Sequence, residues 1–302
     1  MKERKNDCSP NDVEKEFDDN NLDNVWSDED SSDNDCTNLD EIDFLLKQVQ
    51  SSMKKSRQKK GNLEIFKVTP KCPNRKGKYK KKNIMKGLFW NIRGMGGVEK
   101  IGHLQDLIRE HKFDFVGILE TIKHDFSAEM LQKLSVGRGM VWKWMPATGR
   151  SGGILVGIDS EKLNIIGEVI GRYFIRLKLS NVDNKKVWDL MIVYGAAQVE
   201  QKADFLTELA KEVYSQSPPL MVGGDFNILR KESEKNKSGG YTKWSFIFNA
   251  IIEQANLREI QMGGRQFTWC HNQESPTLEK LDRVFINTDW EVAHPLTSVR
   301  YV

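Results

Sequence analysis

Cysteine is scarce in this chain. Cys8, Cys36, Cys72 and Cys270 are the only four in 302 residues, and none stands at close paired spacing. A disulfide framework is thereby excluded, and a cysteine-rich zinc site has no support. Long apolar runs are also missing. No stretch is long enough to span a bilayer, and the N-terminus has no signal-like apolar segment. The expectation is a soluble, intracellular protein without membrane association. No internal repeat is evident, and nothing points to an obligate protein partner.

Charge, by contrast, is plentiful. Lys and Arg number 46 against 43 Asp and Glu, for a net charge of +3. The near balance hides an asymmetry. Residues 12–43 are dense in Asp and Glu, with little apolar material beyond Phe17, Val25 and Trp26. From Lys54 to Lys86 the sign reverses, with Lys54-Lys55, Lys59-Lys60 and Lys80-Lys81-Lys82. Neither stretch can bury enough apolar surface to offset the entropy of ordering it. Residues 1–83 are therefore expected to be mostly disordered, acidic and then basic. One short helix is expected where Ile42, Leu45, Leu46 and Val49 recur at helical spacing. The basic half reads either as a nucleic-acid or nuclear-import patch or as a solvated linker.

A single domain is expected over 84–302. Apolar runs predict strands at Gly87–Trp90, Phe113–Leu119, Gly139–Met145, Gly152–Ile158, Asn164–Val169, Phe174–Leu179, Val187–Tyr194, Leu220–Val222, Phe267–Trp269 and Lys280–Ile286, with another starting at Val299. Stripes at helical spacing predict helices over Lys100–His111, Asp125–Leu134, Val199–Tyr214 and Ser245–Ala255. Strands interleaved with a few helices point to packed sheets covered by helices.

Polar residues at the ends of these runs carry the candidate chemistry. Gly223-Gly224-Asp225-Phe226-Asn227 follows Leu220-Met221-Val222, and reads as a buried strand stopping at a tight turn. Asp225 and Asn227 are two residues apart, which on extended backbone places them on one face. Asn91 follows Phe89-Trp90, Glu120 follows Ile118-Leu119, Tyr194 closes the Val187 run, and Asp282 precedes Arg283. Singly, each has an ordinary reading: a turn or cap residue for Asn91, Glu120, Asp225 and Asn227, a half-buried aromatic for Tyr194, an ion-pair partner for Asp282.

Their order is more informative. Trp90-Asn91-Ile92-Arg93-Gly94, Leu119-Glu120-Thr121, Ser151-Gly152-Gly153, Val193-Tyr194-Gly195, Gly223-Gly224-Asp225-Phe226-Asn227, Phe267-Thr268-Trp269 and Leu281-Asp282-Arg283 resemble the endonuclease/exonuclease/phosphatase family. The wording is most similar to the endonuclease domain of plant LINE-type (non-LTR) retrotransposons. The resemblance spans roughly 85–302. It implies an α+β fold, a four-layer α/β/β/α sandwich of two mostly antiparallel sheets flanked by helices. It also implies cleavage of phosphoester bonds in DNA with Mg2+, or with Mn2+ in its place. By resemblance, Glu120 is the metal-binding carboxylate, Asn91 supports metal and phosphate, Asp225 orients or deprotonates the attacking water, and Asn227 and Tyr194 donate to the phosphate.

The family ends its site with Ser-Asp-His, whose imidazole is held by an Asp matching Asp282. That triplet is nowhere in the sequence, which stops at Val299-Arg300-Tyr301-Val302. His103, His111, His124, His271 and His294 do not match it by motif. The expectation is a domain incomplete at its C-terminus, with poor or absent nuclease activity. Two other readings stand beside it. One is an inactive retroelement-derived fragment that at most binds nucleic acid through residues 54–86. The other keeps the fold with a phospholipid or inositol phosphate as substrate.

Overall fold

The computed structural model describes Lys47 and residues 85–149, 151–215, 218–270 and 275–300. The short helix expected near residues 39–49 lies outside them except at Lys47, which is helical. The acidic and basic stretches before residue 85, three of the cysteines and His271 also lie outside.

The chain enters with β1 (Gly87–Asn91), α1 (Val98–His111), β2 (Phe115–Leu119) and α2 (Ala128–Ser135). A run of strands follows: β3 (Met140–Thr148), β4 (Ser151–Asp159), β5 (Leu163–Ile170), β6 (Phe174–Asn181) and β7 (Val187–Tyr194). Next come α3 (Lys202–Tyr214), β8 (Leu220–Asp225), α4 (Lys243–Gln254) and β9 (Leu257–Glu259). The short strands β10 (Met262–Gly263), β11 (Trp269–Cys270) and β12 (Leu278–Glu279) lead to β13 (Asp282–Asn287), α5 (Thr288–Ala293) and β14 (Val299–Arg300).

Among the described residues two large sheets form, one ordered β1-β2-β4-β3 and the other β5-β6-β7-β8-β13-β9. Pairing is antiparallel except for β1 with β2 and β7 with β8. Side-chain alternation sorts each strand between two cores. Leu190 and Ile192 of β7 point between the sheets, where they meet Phe115, Ile154, Val156, Leu177 and Ile286. Met191 and Val193 point outward, onto Phe205, Leu209 and Val213 of α3 and Phe248 and Ile251 of α4. On the other flank Val116, Ile118 and Leu155 pack on Leu104 and Ile108 of α1 and Leu134 of α2. The result is a four-layer α/β/β/α sandwich with three cores. Burial of these side chains, each stabilising by about 1.5–3 kcal/mol, is the main favourable contribution.

Several local expectations change. The Asp125–Leu134 helix begins at Ala128, because the Ser127 hydroxyl accepts from the Met130 N–H and caps it there. Phe267-Thr268 is not strand; pairing starts at Trp269, opposite Glu279. The strand expected from Lys280 begins at Asp282. Val299 and Arg300 pair in parallel with Met262 and Gly263, outside both large sheets. The edge of β1 away from β2 carries no strand among the described residues.

The Gly223-Gly224 pair is not a turn. β8 runs through both glycines to Asp225, paired on each side with β7 and β13. The glycines are there for space. At Gly224 φ is +143°, and an added Cβ would lie 2.0 Å from the Val193 carbonyl oxygen. No L side chain fits that conformation or that gap. Gly224→Ala is expected to destabilise the domain by at least about 2 kcal/mol, read as a lower urea midpoint with an unchanged m-value.

Candidate active site

The site is built by carrying the inner faces of the strands to one end of the sandwich. Phe89 of β1 lies over Gly223 of β8, where an added Cβ would come within 2.4 Å of the ring. The missing side chain lets the two sheets close at this point. Two residues further along each strand, Asn91 and Asp225 therefore meet, and Asn91 Nδ2 donates to Asp225 Oδ2 at 2.9 Å. Asp225 is flanked within its own sheet by Tyr194 of β7 and Asp282 of β13, each its register partner. Glu120 follows directly on β2, with φ at +54°.

The turn that carries Glu120 is held by the Ser151-Gly152-Gly153 segment. Thr121 N–H donates to the Gly153 carbonyl at 3.2 Å and Ile122 N–H to that of Gly152 at 3.1 Å. Both glycines have φ of +84°, and Thr121 Oγ1 occupies the place where a Gly153 side chain would be. The Asn91 amide also lies near Glu120 and opposes the burial that raises its carboxyl.

Asn227 shares the site with Asp225 for a reason other than strand alternation. Its φ is +50°, so the backbone there is left-handed, not extended. Its N–H donates to Asp225 Oδ1 at 2.9 Å, an Asx turn, and its Nδ2 donates to the Gly195 carbonyl at 2.9 Å. The Asn227 amide lies near the Tyr194 phenol and weakly opposes the burial that raises it. All six side chains singled out in the sequence thus gather in one place.

The cluster is strongly acidic and poorly hydrated. Burial raises the proton affinity of Asp225, and the charges of Asp282 and Glu120 raise it further against hydrogen bonds from Asn227 and Asn91. Burial likewise raises Asp282, opposed by the Thr268 hydroxyl and the charges of Arg93 and Arg283. Glu120 is raised by burial, opposed by Asn91, Arg93 and Lys100. The Tyr194 phenol is pushed well above its usual range by burial and by the Glu120 and Asp225 charges, so it stays a neutral donor.

Two features here escaped sequence reasoning. Thr268 Oγ1 accepts from the N–H groups of Leu281 and Asp282, both at 3.0 Å, and its hydroxyl opposes the burial that raises the Asp282 carboxyl. One side chain thereby fixes the start of β13 and the acid it delivers. Beside it lies a buried ionic clamp. Arg283 donates to Glu234 Oε2 at 2.6 Å and Oε1 at 3.0 Å, and to Glu259 at 3.1 Å. Arg230 and Lys280 each reach Glu259 at 2.6 Å. The clamp ties the loop after Asn227 to the strand bearing Asp282.

Among the described residues no histidine counts among the leading groups acting on Asp282. His103 sits edge-on to Trp90, His111 lies against Phe113 and His294 against Trp290. The cations acting on Asp282 are Arg93 and Arg283.

The donor set suits a hard, hydrated cation. Glu120 supplies a carboxylate, and Asn91 Oδ1, which accepts from the Arg93 N–H at 3.1 Å, keeps a second lone pair. Among the described residues no cluster of three His, Cys, Asp or Glu side chains is arranged to hold a metal, so a closed zinc cage does not fit. Mg2+ needs only one or two protein carboxylates. Asp225 is buried, Glu120 and Asp282 are half-buried, and all three have raised proton affinity; such a group is short of positive charge, which a divalent ion would supply.

The fold is that of a known class. Residues 88–302 match the Endonuclease/Exonuclease/phosphatase family, and the chain belongs to it. Among solved structures it is similar to the AP endonuclease LMAP from Leishmania major, with 15% identity and a TM-score of 0.53 over 68% of this chain and 79% of that one. It is also similar to the 3′ phosphatase NExo from Neisseria, solved with a product DNA hairpin, at 14% identity and a TM-score of 0.52 over 68% and 87%. The endonuclease domain of TRAS1, a telomere-specific non-LTR retrotransposon, aligns at 13% identity with a TM-score of 0.47 over 63% and 80%. Among curated proteins no sequence match is found.

The clamp makes a prediction for acid stability. Burial alone would raise the Glu259 carboxyl, but Arg283, Lys280 and Arg230 hold it down at about 2 against an ordinary 4.5. A depressed carboxyl stabilises the fold above its unfolded value and loses that contribution as pH falls through its folded one. Glu259→Gln is expected to cost about 3 kcal/mol at pH 7. The gap to the parent should narrow as pH falls from about 4.5 towards 2, measured by urea unfolding across that window.

Proposed function

We propose that this domain is a magnesium-dependent phosphodiesterase that nicks DNA, of the plant retrotransposon endonuclease type. The observation that carries the reading is the convergence of Asn91, Glu120, Tyr194, Asp225, Asn227 and Asp282 at one rim of the sandwich. Family membership supports it. Glu120 and Asn91 would hold Mg2+, or Mn2+ in its place, and the bound ion would neutralise charge on the phosphoryl oxygens.

The chain's own groups account for the rest. Asp225 is the base for the attacking water. Its raised proton affinity, due first to burial, brings it nearer to the range a general base needs. The Asn91 and Asn227 hydrogen bonds fix the carboxylate's orientation. Tyr194 keeps its proton and can donate it in a hydrogen bond to a phosphoryl oxygen. Asn227 spends one Nδ2 hydrogen on Gly195 and has a second for the phosphate. Fixed donors of this kind stabilise developing charge without reorganising. The basic stretch at 54–86 is the sequence support for DNA contact and for a nuclear site of action. In a plasmid-nicking assay with Mg2+, Glu120→Gln and Asp225→Asn should each lose at least about a hundredfold in rate, and EDTA should abolish nicking. Equal signal from the parent and both variants would sink the reading and favour an inactive fragment.

The same geometry supports an impaired rate for the polypeptide of this sequence. Asp282 is half-buried at the site, no imidazole among the described residues counts among the leading groups acting on it, and β1 keeps one edge unpaired among the described residues. Appending a Ser-Asp-His-bearing segment after Val302 should raise Mg2+-dependent nicking by at least about tenfold. An unchanged rate would count against the imidazole deficit.

A further inference from the structure

We propose that Arg93 binds a phosphate of the DNA strand adjacent to the one that is cut, with Trp269 holding its guanidinium in place. The proposal rests on the phosphodiesterase reading above and names a contact for its substrate.

Arg93 stands two residues beyond Asn91, exposed at the rim of the site. Its backbone is tightly fixed. The φ angle is +49°, the N–H donates to Asn91 Oδ1 at 3.1 Å, and the carbonyl accepts from Lys100 Nζ at 2.8 Å. A bulky side chain held in the left-handed region at a functional rim is a feature that the surroundings must enforce. The guanidinium carbon lies 5.8 Å from the centre of the Trp269 ring, a cation–π contact that restricts it without using any N–H.

The donors themselves are uncommitted. Arg230 and Arg283 spend theirs on Glu234, Glu259 and Asn249, and Arg176 on Asp189 and Glu212. Among the described residues the Arg93 guanidinium donates no hydrogen bond and enters no ion pair. Its charge nonetheless acts on both Glu120 and Asp282. The guanidinium rests on Trp269, and Asp225 takes its hydrogen bonds from Asn91 and Asn227. A planar fork of unused donors, pre-set on an aromatic face, matches a phosphate bidentately. Its seat on Trp269, outside hydrogen-bond reach of Asp225, assigns it to a neighbouring phosphate, which a polynucleotide has and a single-phosphate ester lacks. Lys100, bound to the Arg93 carbonyl, adds a second cation on the same rim.

The test compares Arg93→Met and Arg93→Lys in the full 302-residue chain. Binding of a DNA duplex is followed by anisotropy over a salt series with Mg2+, in a Glu120→Gln background that prevents cleavage. Arg93→Met should weaken binding about ten- to a hundredfold and make the log K against log salt slope shallower by about 0.9, one phosphate contact. Arg93→Lys should keep the slope, since the charge remains, and recover only part of the affinity, since an ammonium makes a point contact in place of the fork. With Glu120 intact, Arg93→Met should raise KM for DNA and leave kcat within about twofold, while hydrolysis of bis(p-nitrophenyl) phosphate, which has no second phosphate, stays unchanged. An unaltered slope and affinity, or equal losses on both substrates, would overturn the proposal. If the parent cleaves neither substrate, the phosphodiesterase reading fails, and the salt slope still decides Arg93. Thermal melts of both variants show whether an effect comes from misfolding.

Discussion

The contact of the Phe89 ring with the bare backbone of Gly223 sets the distance between the two sheets where the candidate chemistry lies. Everything at the site inherits that distance. Asn91 and Asp225 are the next inward residues on the same two strands, so their hydrogen bond of 2.9 Å depends on it. Gly117 makes a similar accommodation deeper in the sandwich, where an added Cβ would approach Ile192 to 2.8 Å. Close packing of this kind makes the inter-sheet spacing a property of the whole core.

Against that fixed frame the site concentrates negative charge. Asp225 and Asp282 are register partners on antiparallel strands, and Glu120 stands beside Asn91. Buried carboxylates so close together favour proton uptake or a cation. The protein answers in two ways. Arg283 pairs with Glu234 and Glu259 and so anchors the loop and strand that carry Asn227 and Asp282. Arg93 and Lys100 sit at the rim, where their charge is felt by Glu120 without quenching it in an ion pair. One set of cations builds the site, and the other leaves it able to attract an anionic strand.

Much of the scaffold was legible in the sequence. The strands from Gly87 to Tyr194 and the four longer helices lie close to where alternation and helical stripes place them, because each contributes a face to a core. The misses share a cause. Gly223-Gly224 reads as a turn because local rules price glycine by conformation, whereas here it is required by Phe89 and by the Val193 carbonyl on other strands. Asn227 reads as extended, but a left-handed turn joins it to Asp225. Thr268 and Arg283 carried no local sign of their roles, since Arg283 meets Glu234 and Glu259 across 49 and 24 residues of sequence.

The sequence by itself determined the periodicities that sort apolar side chains between three cores, and the ordered motifs by which the family is recognised. Periodicity is local, set by backbone geometry and burial, so it can be read along the chain. Only the tertiary structure decided which strand ends face one another, that Asp225 lies between Tyr194 and Asp282, and which arginine is buried in ion pairs and which is left with donors to spare. Those outcomes depend on sheet order and on close approaches between residues far apart in the chain, which no local pattern encodes.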